Sequence, residues 1–112
     1  MAEESVIISV KKYLNELLKL GIPVQFGILF GSHARKDPHQ WSDIDLLVVS
    51  TRYDEKYGRN DINLLWRTAA RTDSRIEPVP VGLKRWATDD GSTIIEAARR
   101  EGIRIKIPAN QP

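Results

Sequence analysis

Asp43-Ile44-Asp45 opens the apolar run Leu46-Leu47-Val48-Val49, and Gly31-Ser32 closes another apolar run, Val24 to Phe30. In an extended segment side chains alternate with period two, so Asp43 and Asp45 project to one side, about 6–7 Å apart. Two carboxylates so held repel unless a cation lies between them. Magnesium takes oxygen ligands and borrows water or phosphate oxygens. The pair is therefore what a metal-dependent phosphoryl or nucleotidyl transfer needs. Solvated charges at a strand's start are the plainer explanation, although acid pairs seldom lead straight into four apolar strand residues. Gly31-Ser32 offers the complement. Glycine lets backbone approach a bulky anion, a strand-to-helix turn aims free amides outward, and the hydroxyl adds a donor. Alone, Gly-Ser is commonly just a turn.

The elements that must position these residues follow from periodicity. Glu3 to Leu20 carries Val6, Ile7, Val10, Tyr13, Leu14, Leu17 and Leu18 at helical spacing. Gly21 falls at a left-handed C-cap and Pro23 forbids continuation. Val24–Phe30 reads as a strand, followed by a polar segment, His33 to Trp41, with a short helix expected in it. Residues 42–50 read as a buried strand, 51–59 as a charged loop, and Asn60 or Asp61 to Arg71 as a helix with Ile62, Leu65, Trp66 and Ala69 on one face. Ser74 to Val81 alternates like a strand, but Pro78 and Pro80 cannot donate to a ladder, which predicts an edge or an irregular strand. Asp89, Asp90 and Ser92 can cap a helix from Thr93 to Arg100, ended by Gly102. Ile103–Ile107 is a last strand, and 108–112 a frayed tail. The order predicts a mixed α/β domain.

Length and composition bound the functions available. The 112 residues suit one domain, with helix 1–22, core 24–107 and tail 108–112. Cysteine is absent, which excludes disulfides, thiolate zinc sites and a cysteine nucleophile. A formal net charge of +2 gives no broad pull toward nucleic acid or an anionic membrane. No apolar run approaches the roughly 20 residues that span a bilayer, and the acidic start, Met-Ala-Glu-Glu, is unlike a secretory signal. A cytoplasmic location is the expectation. So short a chain has little room for a substrate-binding domain, so a partner is expected to complete the site; a homo-oligomer is a separate alternative.

Taken together, Gly31-Ser32-His33-Ala34-Arg35 and Ser42-Asp43-Ile44-Asp45-Leu46-Leu47-Val48, with ten residues between Ser32 and Asp43, resemble the signature of the polymerase-beta-type nucleotidyltransferase superfamily. The run is similar to the minimal nucleotidyltransferase (MNT) branch, over about Val24 to Ile107. The resemblance implies a small mixed sheet of about four strands, with helices chiefly on one face. It implies that Gly31 and Ser32 hold the triphosphate of a nucleotide, and that Asp43 and Asp45 bind magnesium, as two ions. A third carboxylate on the next strand completes such sites; by position it is Glu77, where many members carry aspartate, with Asp73 nearby and an exposed strand charge as the alternative reading of Glu77. Small MNT proteins of this kind often accompany a HEPN protein, as antitoxin and ribonuclease toxin, and the MNT member adenylylates a tyrosine of its partner. AMP transfer from ATP to such a hydroxyl is the implied activity. A binding module without transfer, and a small-molecule nucleotidyltransferase completed by a partner subunit, are the alternatives.

Other residues carry less. Arg35 and Lys36 follow the turn and either meet phosphate oxygens, where only arginine can be bidentate, or sit on a solvated face; Arg35 also matches the family pattern. His33 and His39 are too few and too isolated for a metal cluster; for His33, surface placement is expected, with a place in the pocket wall as the alternative. Trp41 stacks on a base, packs on a partner or anchors its loop, whereas Trp66 and Trp86 read as packing residues. Arg99-Arg100 matches the end of a helix dipole.

Overall fold

The computed structural model describes residues 3–35, 43–89 and 91–107. Its first helix, α1 (Glu4–Lys19), ends in the double hydrogen bond of a left-handed cap. Gly21 N–H donates to Leu18 O at 2.9 Å, Ile22 N–H donates to Leu17 O at 3.1 Å, and Gly21 takes φ +91°. Then follow β1 (Val24–Phe30), β2 (Ile44–Ser50), a 3-10 turn (Thr51–Asp54), α2 (Arg59–Thr72), β3 (Ile76–Gly82), α3 (Leu83–Thr88), α4 (Thr93–Glu101) and β4 (Ile103–Ile105). Among the described residues the strands make one sheet in the order β3-β2-β1-β4. β1 is antiparallel to β2 and β4, and β2 is parallel to β3. This is the mixed four-stranded α/β architecture expected.

Strand alternation divides the core between two faces. Leu29, Ile44, Leu46, Val48 and Ile76 lie under the two longer helices, where Val10, Leu14 and Leu17 of α1 meet Leu65 and Ala69 of α2. Tyr13 ties these helices by donating its hydroxyl to Leu65 O at 2.9 Å, and burial holds its phenol far above the ordinary value. Phe26, Ile28, Leu47, Val49 and Val81 face the other way, against Ile95 and Ala98 of α4. Both faces are therefore covered, which is why β1 and β2 read as nearly continuous apolar runs. Trp86 of α3 packs as expected, edge-on to Phe26 with centroids 6.1 Å apart.

β3 is the edge strand its prolines demanded. Ile44 N–H donates to Arg75 O at 2.8 Å, so odd-numbered positions turn their amides to β2. Pro78 and Pro80 then present their missing donors to the open edge. α3 has no counterpart in the sequence reading. Its first turn is capped by Asp54 Oδ1, which accepts from Lys84 N–H at 3.0 Å across 30 positions. That carboxylate lies where a side chain on Gly82 would stand, 2.4 Å from a Cβ placed there. No local signal announces such a cap. The expected helix after β1 is described only as far as Arg35; Lys36, Pro38, His39, Trp41 and Ser42 lie outside the described residues, as do Asp90 and the tail.

Trp66 corrects the sequence reading. It is 45% exposed and Ile62 36%, whereas Thr68 is buried beside Leu65 and Ala69. The buried stripe of α2 thus turns through Leu65, Thr68 and Ala69, and Thr68 satisfies its hydroxyl by donating to Leu64 O at 2.8 Å. Two expected outcomes follow. Leu65→Ala lowers the unfolding free energy in urea by about 2–5 kcal/mol, whereas Trp66→Ala changes it by about 0.5 kcal/mol, as at other surface positions. The second concerns Asp73, in the turn between α2 and β3. The guanidinium of Arg75 bonds its carboxylate at 2.8 and 3.1 Å and holds it down to about 2. A depressed folded value stabilises above the unfolded value of about 4 and loses that contribution as pH falls toward about 2. Melting temperature measured from pH 5 to pH 2 therefore falls less steeply in Asp73→Asn.

Candidate active site

Three strand ends meet at one end of the sheet. Phe30 pairs with Asp45 across β1 and β2, and Asp45 pairs with Glu77 across β2 and β3. Register partners point the same way, so the Asp45 and Glu77 side chains rise from the face that α4 covers. Asp43 stands two residues before Asp45, just outside β2, and is exposed. Beyond β1 the chain makes a helical turn, with Ala34 and Arg35 N–H both donating to Gly31 O at 3.1 Å. Gly31 enters it at φ +78°, and a Cβ there would lie 2.2 Å from Asp45 Oδ2. Any side chain would be strained by the backbone and would strike the carboxylate.

The carboxylates feel one another. Hydrogen bonding with Asp43 raises the Glu77 carboxyl above its ordinary value; burial and the charges of Asp43 and Asp45 add to this. Burial likewise raises Asp45, followed by the charge of Asp43, while His33 and Arg35 partly offset the rise. Among the described residues neither Asp43 nor Asp45 forms an ion pair with arginine. No group of three or more His, Asp or Glu among them is arranged to hold a metal ion as it stands.

A cleft of about 460 Å³ brings together Gly31, Ser32, Arg35, Asp43 and Asp45, five of the six residues singled out from sequence. Glu77 is not in its lining but reaches Asp43 beside it. Phe30, Ala97 and Glu101 complete the wall. Arg35 does not reach freely into this space: its Nη1 donates to Glu101 Oε1 at 2.6 Å. His33 corrects the expectation of surface placement, being 6% exposed and near enough to Asp45 to act on its charge. Alternation between apolar and polar neighbours in the turn does not reveal its burial. Glu101 was missed too, although an acid at the end of a helix, against the dipole, was a legible oddity.

The nucleotidyltransferase domain matches residues 7–99. The chain belongs to that family. The match takes in the Gly31-Ser32 turn, Asp43, Asp45 and Glu77. Solved structures share the nucleotidyltransferase fold. A candidate nucleotidyltransferase of Sulfolobus solfataricus superposes with TM-score 0.63 at 17% identity, over 89% of this chain and 78% of that one. A toxin-antitoxin crystallised with AMP-PNP gives 0.60 at 23% identity, over 88% and 73%. A mutant of the toxin-antitoxin MntA-HpeT gives 0.59 at 21%, again over 88% and 73%. A comparison with functionally curated proteins finds no significant match.

The Gly31 contact yields a direct test. Gly31→Ala is expected to cost about 1–3 kcal/mol in chemical unfolding, from positive φ and the clash with Asp45. Gly58→Ala is the control, since a Cβ there meets nothing within 4 Å.

Proposed function

We propose that this nucleotidyltransferase moves AMP from ATP to a hydroxyl of a protein partner, a tyrosine of a HEPN-type toxin, and so acts as an antitoxin. The observation that carries the reading is the meeting of Asp43 and Asp45 with the Gly31-Ser32 turn in one cleft, with Glu77 of the adjoining strand reaching Asp43 beside it. The neighbours favour a nucleotide and a toxin: one toxin-antitoxin holds AMP-PNP, and the mutant MntA-HpeT has two aspartates, two positions apart, changed to glutamate. Asp43 and Asp45 have that spacing. No helix among the described residues is long and apolar enough to cross a membrane.

The donor set suits magnesium, a hard cation satisfied by one or two carboxylates plus phosphate and water oxygens. Asp43 and Asp45 would hold it, with Glu77 as the third donor, so that oxygen ligands suffice without histidine or cysteine. Bound magnesium, as two ions, supplies charge neutralisation for the triphosphate and for the attacking oxygen. The remaining work falls to the chain itself. Ser32 and the amides of the turn bind the phosphate tail, Arg35 adds a guanidinium, and Glu77 takes the proton of the acceptor hydroxyl. That oxygen bonds to the α-phosphorus as the bond to pyrophosphate breaks, and pyrophosphate leaves with its charge held by the turn. A binding module without transfer is the second reading, favoured by the hydrogen bond that closes Asp43 onto Glu77.

Incubation with labelled ATP, magnesium and the copurified partner separates the two. Label is expected on the partner with wild-type protein and is expected to vanish with Asp43→Asn/Asp45→Asn. Neutralisation of the toxin by that double variant, at wild-type level and without label, would show binding alone to be sufficient.

A further inference from the structure

Glu101 ends α4, where a carboxylate opposes the negative end of the helix dipole. Helix physics does not account for it, but its contacts do. Its Oε1 accepts from Arg35 Nη1 at 2.6 Å, across 66 positions of sequence. The Glu101 side chain is 23% exposed and that of Arg35 52% exposed, and both line the cleft. On its other side, Glu101 Oε2 has Arg100 Nη2 at 4.0 Å.

Arg35 is therefore spoken for before any ligand arrives. Its guanidinium fork suits phosphate oxygens as well as it suits a carboxylate, so a nucleotide and Glu101 compete for one group. The surroundings sharpen that competition, because Asp43, Asp45 and Glu77 already crowd negative charge at the cleft. Releasing Arg35 does not strand Glu101, since Arg100 stays beside it.

We propose that Glu101 is a displaceable counter-ion for Arg35: it holds the guanidinium in the empty cleft and yields it to the nucleotide's phosphates, thereby setting the affinity for triphosphate. This rests on the reading above that the cleft takes a nucleoside triphosphate. Removing the Glu101 charge acts with one sign in two ways, freeing Arg35 and relieving repulsion of the phosphates. The two are separable, because repulsion acts without Arg35 whereas competition requires it.

The test is calorimetric titration of wild type, Glu101→Gln, Arg35→Gln and the double variant with ATP, ADP, AMP and adenosine in magnesium buffer. Melting curves verify that each is folded. Glu101→Gln is expected to tighten ATP about tenfold and ADP less, with adenosine unchanged. In the Arg35→Gln background the gain is expected to shrink below about twofold. Glu101→Asp, which keeps the charge but withdraws it by one methylene, is expected to tighten ATP less than Glu101→Gln does. ATP bound equally or more weakly by Glu101→Gln overturns the inference, as does a full gain without Arg35 or an equal gain for adenosine. Wild-type protein that binds no ATP overturns the nucleotide reading itself and the inference with it. ATP bound alike by wild type and Glu101→Gln overturns the inference alone.

Discussion

The close approach of the Asp45 carboxylate to the Cα of Gly31 is the contact on which the arrangement turns. A Cβ at Gly31 would stand 2.2 Å from Asp45 Oδ2, so the turn after β1 and the first residues of β2 are in effect one unit. Gly31 supplies a left-handed backbone and an absent side chain at the same position, and each is needed there. The antiparallel register that sets Phe30 opposite Asp45 brings them together, and the parallel register of β2 with β3 adds Glu77. Like charges meet at that end of the sheet. Burial of Asp45 and hydrogen bonding of Glu77 with Asp43 raise these carboxyls, their like charges add to the rise, and the rest of the fold must carry that local cost.

The apolar body is built to carry it. Leu46, Leu47, Val48 and Val49 follow the acids directly and are fully buried, alternately on the two faces. A strand so anchored cannot slip by one residue without turning its whole apolar set to the wrong face. The aspartates inherit that rigidity. Long-range polar contacts hold the flanks: Tyr13 joins α1 to α2, and Asp54 joins the 3-10 turn to α3. Ser50 donates to Pro23 O at 2.8 Å and so ties the far end of β2 to the entry of β1.

Much of this is legible in the chain itself because it rests on local rules. Gly21 and Pro23 end α1 where the left-handed cap and the missing donor require it, and paired prolines confine β3 to an edge. The Gly31-Ser32 and Asp43-Ile44-Asp45 motifs resemble the family's signature, and a short glycine turn and a period-two strand fix where their side chains project. α2 shows where such rules stop. Ile62, Leu65, Trp66 and Ala69 fit one helical stripe, yet the same spacing permits a stripe through Leu65, Thr68 and Ala69. Hydrophobicity favours the first; the position of α1 and β3 selects the second.

The sequence by itself determined the four strands and the three longer helices in their order, the strand that carries the two aspartates and the glycine turn opposite them, and its motifs already resembled the family to which the chain belongs. Each depends on residues within a few positions of one another, where backbone sterics and side-chain alternation act. Only the tertiary structure decided that His33 is buried, that Trp66 is exposed, that α3 forms, and that Glu101 holds Arg35. Those outcomes depend on which groups meet across 30 or 66 positions. Such meetings are set by the packing of helices on the sheet, which no local pattern encodes.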